Sequence, residues 1–127
     1  MYEKNPLSPH LQIYRWQISS LLSIAHRIVG IVNLVAITLV CLWTISLFFG
    51  EENYETIKNL FQSFFGKFIV ISLTWSFSFH ILNEIRHLTW DLGYGFNKEI
   101  SKITGVLTIF GSLVLTVLIY LLGKNII

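Results

Sequence analysis

Residues 68–91 read FIVISLTWSFSFHILNEIRHLTWD. Residues 68–83 contain no Asp, Glu, Lys or Arg, and His80 lies near the end of this apolar run. Ionisable side chains within a membrane span are rare, and they normally have a partner inside the protein or a functional role. The segment therefore predicts a transmembrane helix, and metal binding is the simplest explanation of its deepest histidine.

Two further windows without charged residues lie at 28–50 and 103–123, in a chain of 127 residues that is 54% hydrophobic. About 20 helical residues cross the ~30 Å hydrocarbon layer, so both windows are long enough to span it. The central window is shorter, but only Lys67 separates it from an uncharged lead-in, and a lysine stem can reach the interface. We predict an all-α integral membrane three-helix bundle, a single anchor domain over 1–127 with spans at about 20–49, 61–88 and 102–124.

The N-terminal arm, residues 1–17, contains Pro6 and Pro9 and is expected to be extended. Loops on the matrix or cytoplasmic side of a membrane retain Lys and Arg. The side of the N-terminus carries Lys4, Arg15, Arg27, Arg86, Lys98 and Lys102, whereas the opposite side carries Lys58, Lys67 and Lys124. This asymmetry predicts that the N-terminus is inside. A net charge of +2, dispersed along the chain, does not indicate nucleic-acid binding.

Ser23 and Arg27 are four residues apart near the start of the first predicted span, so they share one helix face. One interpretation is that Arg27 anchors the helix among lipid headgroups while Ser23 bonds to a backbone carbonyl. The other is a site for a polar-headed ligand that arrives from the bilayer. Asn33, deeper in the same span, is expected to form a hydrogen bond between helices.

On the central helix His80, Glu84, His87 and Asp91 follow at spacings that return to nearly the same face. Such a polar stripe normally faces the interior of a helix bundle. His80 could donate a hydrogen bond to a neighbouring helix. Alternatively, its neutral imidazole could be an axial ligand of a haem iron.

A haem at His80 would place its propionates toward the inner interface. His87 and Arg86 lie roughly 10 Å in that direction and could receive them. A second axial histidine would have to come from another subunit or from His26. His10, in the arm, is expected to be a surface or contact residue.

Three segments carry a resemblance to a known family: NPLSPHLQIYRW at 5–16, SSLLSIAHRIVG at 19–30, and HILNEIRHLTWDLGYG at 80–95. They resemble the signatures of the cytochrome b subunit of succinate dehydrogenase, the larger membrane-anchor polypeptide of succinate:quinone oxidoreductase. The spacings Ser-x-x-His-Arg-x-x-Gly and His-(x)6-His-x-x-x-Asp occur together in the expected helices.

The resemblance implies that His80 is the axial ligand of haem b, with the opposite histidine supplied by the smaller membrane-anchor subunit. Ser23 and Arg27 match the catalytic residues of the ubiquinone pocket, and Ile24 matches part of its apolar wall. His26, Arg27 and His87 match positions around the haem propionates.

The resemblance also implies partners. A flavoprotein subunit would oxidise succinate and an iron-sulfur subunit would pass electrons to the membrane, so this chain would have no succinate-oxidising site of its own. Eighteen isoleucines against two alanines indicate AT-rich coding, as in an organelle-encoded or small-genome bacterial gene. The expected location is the mitochondrial inner membrane or a bacterial cytoplasmic membrane. The alternatives are a quinol:fumarate reductase anchor and a non-catalytic membrane scaffold or assembly protein.

One residue departs from the family pattern, because the family usually has glycine where this chain has Glu84. A carboxylate at this depth requires a compensating partner. We expect that partner to be Arg86 or Arg27, or a basic residue of the other anchor.

Overall fold

The computed structural model describes residues 15–126, so most of the predicted extended arm, with Pro6, Pro9 and His10, lies outside the described residues. Helix α1 covers Ile18–Ser46 and continues into one 3₁₀ turn, Leu47–Phe49. Helix α2 covers Glu51–Gln62, α3 covers Phe64–Asp91 and α4 covers Lys98–Ile126.

Three helical stretches are long and apolar enough to cross a membrane, namely Ile18–Phe49, Phe64–Asp91 and Lys98–Asn125. Many large apolar side chains on these helices point outward, among them Ile31, Leu34, Phe68 and Leu107. This surface is suited to lipid, which is as apolar as the side chains themselves. The prediction of an all-α membrane bundle with three spans is confirmed, whereas the side on which the N-terminus lies stays a prediction.

The central span begins at Phe64, whereas the charge pattern predicts a start at about 61. Ser63 is extended, with φ −63° and ψ 162°, and its hydroxyl accepts a hydrogen bond from the Gly66 amide at 3.1 Å. This is the N-cap interaction that starts a new helix. A Cβ on Gly66 would overlap the carbonyl oxygen of Leu60, so only glycine allows α2 and α3 to meet this closely. The uncharged residues before Lys67 are therefore divided between the end of α2, at Gln62, and the start of α3, at Phe64.

Hydroxyl groups line the contact between α3 and α4. Buried Thr108, Ser112 and Thr116 of α4 each donate to a backbone carbonyl of the preceding turn. Trp75 of α3 donates from Nε1 to the Ser112 hydroxyl at 3.1 Å. Small hydroxyl residues allow two helix backbones to approach closely within a membrane.

A second polar contact joins α1 to α3. The Ser76 hydroxyl donates to Oδ1 of Asn33 at 2.9 Å, and both residues are buried. This bond confirms the interhelical role expected of Asn33. The apolar core of the described residues consists of buried Leu22 and Val29 from α1 and Phe79 from α3.

Arg86 joins α3 to the beginning of α4. It is only 5% exposed, and its guanidinium donates to the Ser101 carbonyl, the Ser101 hydroxyl and the Thr104 hydroxyl at 3.0, 3.1 and 3.2 Å. The guanidinium also lies over the Trp90 ring, 4.2 Å from its centroid. Arg86 is therefore engaged in helix packing, and its expected role near haem propionates stays a prediction.

Replacing Arg86 by Met should destabilise the protein by about 2 kcal/mol, because it removes three hydrogen bonds from a charged donor that join α3 to α4. The measurement is the midpoint of thermal unfolding of the purified complex. Lys102→Met is the matched control, since Lys102 is exposed on the same helix. Equal midpoints for the two variants would contradict the packing role of Arg86.

Candidate functional site

Facing turns of α1 and α3 bring three histidines together. The rings of His26 and His80 stack with their centroids 4.4 Å apart and their planes 5° from parallel. The His87 ring lies 5.5 Å from His26 at an angle of 55°. His87 is itself held by an edge contact with Trp90, at 5.1 Å. One imidazole from α1 thus lies against two from α3.

Glu84 completes this cluster. Its Oε1 lies 2.8 Å from Nε2 of His26 and 3.9 Å from Nε2 of His80. A carboxylate accepts hydrogen bonds, so Nε2 of His26 donates to it. The structure does not pair Glu84 with Arg86 or Arg27: within residues 15–126 the carboxylate pairs with His26. A basic residue of the other anchor stays a prediction.

The arrangement follows from helix geometry. Arg86 is two residues after Glu84, which turns it about 200° around α3, away from α1 and toward α4. The side of α3 that faces α1 carries His80, Glu84 and His87, as the predicted polar stripe requires. Asp91 ends α3 and is exposed, so it does not contribute to the cluster.

The surroundings of His80 fit a metal ligand. Its Nδ1 is buried without a hydrogen-bond partner among the described residues, while 31% of the side chain remains exposed. A ligand can therefore reach the ring from the Nε2 side. A Cβ on Gly30 would be 3.8 Å from Cε1 of His80, so a glycine of α1 lies directly against the imidazole.

Ligand atoms of His26, His80 and Glu84 lie within 4.8 Å of one another, a spacing that could hold a metal ion. Two axial histidines of one haem, however, point at each other from opposite faces of the porphyrin. His26 and His80 instead stack side by side, with both Nε2 atoms toward the same carboxylate oxygen. This geometry does not suit His26 as the ligand opposite His80.

Ser23 and Arg27 are exposed on α1, and among residues 15–126 neither forms a hydrogen bond or ion pair. Both side chains are therefore available to a ligand. His26 lies beside them on α1, since Ser23 precedes it by three residues and Arg27 follows it directly, and the ring of His26 faces α3.

Ile24 lines an apolar groove of about 420 Å³ together with Trp16, Leu21, Ala25 and Ile28. Ser23 and Arg27 do not line this groove but are the chain neighbours of Ile24 and Ile28. The sequence pattern does not predict the place of Trp16 in this groove, because that place depends on how residues 15–17 approach α1.

Comparison with known proteins agrees with these features. Residues 1–119 match the family described as succinate dehydrogenase/fumarate reductase transmembrane subunit. The chain is 39% identical over 120 residues to the succinate dehydrogenase cytochrome b556 subunit of Rickettsia conorii, an alignment that covers 94% of both chains.

Relatives from other lineages are also similar. The cytochrome b556 subunit of Paracoccus denitrificans is 34% identical over 113 residues, covering 89% of this chain and 87% of the relative. The mitochondrial cytochrome b560 subunit of Sus scrofa is 36% identical over 118 residues, covering 89% of this chain and 66% of the relative. With nearly its whole length matched, the chain belongs to the succinate dehydrogenase/fumarate reductase transmembrane subunit family.

Proposed function

We propose that this chain is the membrane-anchor subunit of a succinate dehydrogenase that binds haem b through His80 and forms part of the ubiquinone-reduction site. The observation that carries the proposal is the imidazole of His80, held between α1 and α3 with its Nε2 side accessible. Relatives that are named cytochrome b subunits support haem b as the group it binds.

Haem b would supply one-electron chemistry, while the protein sets its ligation, burial and surrounding charge. His80 would ligate the iron through Nε2. His26, Arg27 and His87 would surround the propionates. Arg27 and His87 would act as cations or hydrogen-bond donors, while the Nε2 proton of His26 stays donated to Glu84. Because His26 stacks beside His80, the second axial histidine would come from the smaller membrane-anchor subunit.

Ser23 and Arg27 would bind the ubiquinone headgroup. Both are exposed, and a hydroxyl and a guanidinium can donate hydrogen bonds to a quinone carbonyl as negative charge develops on its oxygen. Ile24 and the groove that it lines would accommodate the apolar part of the molecule.

In this proposal the iron-sulfur subunit docks on the inner side of the membrane and delivers electrons that a flavoprotein subunit takes from succinate. The chain would have no succinate-oxidising site of its own. The excess of basic residues on the side of the N-terminus supports an N-terminus on that same side. The membrane would be the mitochondrial inner membrane or a bacterial cytoplasmic membrane, since the similar relatives come from bacteria and from mitochondria.

A quinol:fumarate reductase anchor is the second candidate, because the matched family includes both activities. The names of the similar relatives favour succinate oxidation. Measuring both reactions on the purified complex distinguishes the two directions. A complex without b-type haem and without quinone-dependent succinate oxidation would favour a scaffold or assembly protein.

His80→Leu should remove or alter the reduced-minus-oxidised optical spectrum of the b-type haem, because leucine cannot ligate iron. The spectrum is recorded on the purified complex. His10→Leu is a matched control in the arm and should retain the signal. An unchanged spectrum in His80→Leu would reject the ligand assignment.

Ser23→Ala should reduce succinate:quinone reductase activity about tenfold or more, since it removes a hydrogen-bond donor to the developing oxyanion. Haem content and succinate oxidation with a soluble dye should stay close to wild type. Ser72→Ala is the control, because Ser72 is exposed and, within residues 15–126, its hydroxyl bonds only to the Phe68 carbonyl of its own helix. Loss of haem with normal quinone turnover in Ser23→Ala would contradict this division of roles.

A further inference from the structure

We propose that Glu84 is a positioning residue for the axial ligand His80 and that it acts through His26. The inference rests on the proposed function, since it takes His80 as the haem ligand. It assigns a role to the residue at which this chain departs from the glycine usual in the family.

The first step is the hydrogen bond between α3 and α1. Nε2 of His26 donates to Oε1 of Glu84 at 2.8 Å. This bond fixes which ring nitrogen of His26 carries the proton and prevents the ring from turning over. Within the described residues Nδ1 of His26 is buried without a partner, so Glu84 alone orients the ring by hydrogen bonding.

The second step is the contact between the two imidazoles. The His26 ring lies nearly parallel to the His80 ring, at 5° and 4.4 Å. The terminal torsion of histidine is broad, so the plane of the His80 ring depends on what packs against it. A ring held rigidly on one face, with Gly30 close to Cε1, restricts that plane.

The third step concerns the hydrogen bond that normally orients a metal-binding histidine. A metal-binding histidine normally donates its second nitrogen to a carboxylate or carbonyl, which fixes its orientation. Among residues 15–126 Nδ1 of His80 has no such partner. Stacking on His26 therefore takes the place of that hydrogen bond, and Glu84 supports it from the next turn of the same helix.

Two substitutions separate the hydrogen bond from the charge. Glu84→Ala removes both. Glu84→Gln keeps an amide oxygen that can accept from His26 but removes the charge. Asp91→Ala is the matched control, because Asp91 is an exposed carboxylate at the end of the same helix.

The measurements are the low-field electron paramagnetic resonance signal of the oxidised haem, which depends on the orientation of the axial imidazoles, and the haem reduction potential. Both are made on the purified complex. Glu84→Ala should shift or broaden the signal and change the potential, or lower haem content. Asp91→Ala should resemble wild type in both measurements. Glu84→Gln should keep the wild-type resonance signal, while the loss of its charge raises the potential.

Two results would overturn the proposal. One is a Glu84→Ala complex with the wild-type resonance signal and the same potential as Glu84→Gln. The other is a Glu84→Gln complex whose resonance signal is altered as much as that of Glu84→Ala, which would assign the effect to charge. A wild-type complex that lacks b-type haem would instead refute the proposed function, so the two failures are distinguishable.

Discussion

Polar side chains inside a membrane must find their partners within the protein, because the hydrocarbon layer provides none. In this chain that requirement determines which helix faces meet. Glu84 pairs with His26 and holds α3 against α1. Arg86, two residues later, binds Ser101 and Thr104 and holds α3 against α4. The central helix is thus oriented by two charged residues that point in nearly opposite directions.

The orientation of α3 also determines which side chains of α1 are covered by α3 and which stay exposed. His26 faces α3 and belongs to the histidine cluster, whereas Ser23 and Arg27 remain exposed. One helix therefore contributes an imidazole to the cluster between the helices and two exposed polar side chains beside it. In the proposed function the imidazole would belong to the surroundings of the haem, and the exposed pair would bind the quinone headgroup.

Much of the fold follows from composition and periodicity alone. The three spans, the polar stripe of α3 and the pairing role of Asn33 need only the distribution of charged residues and the helical repeat. The start of α3 was misplaced because a lone lysine within an apolar run does not reveal the cap that Ser63 forms. The partner of Glu84 was misassigned because the sequence does not specify which helix each face meets, and an arginine is the more obvious partner for a carboxylate.

The central claim is that His80 ligates a haem iron and that His26 stacks beside it without ligating the same iron. The most direct measurement is an experimental structure of the purified complex at a resolution that locates the iron and the imidazole rings. The account predicts the iron bonded to Nε2 of His80, His26 within hydrogen-bonding distance of Glu84, and a second axial histidine from another subunit. Iron bonded to His26, or a haem away from His80, would contradict it.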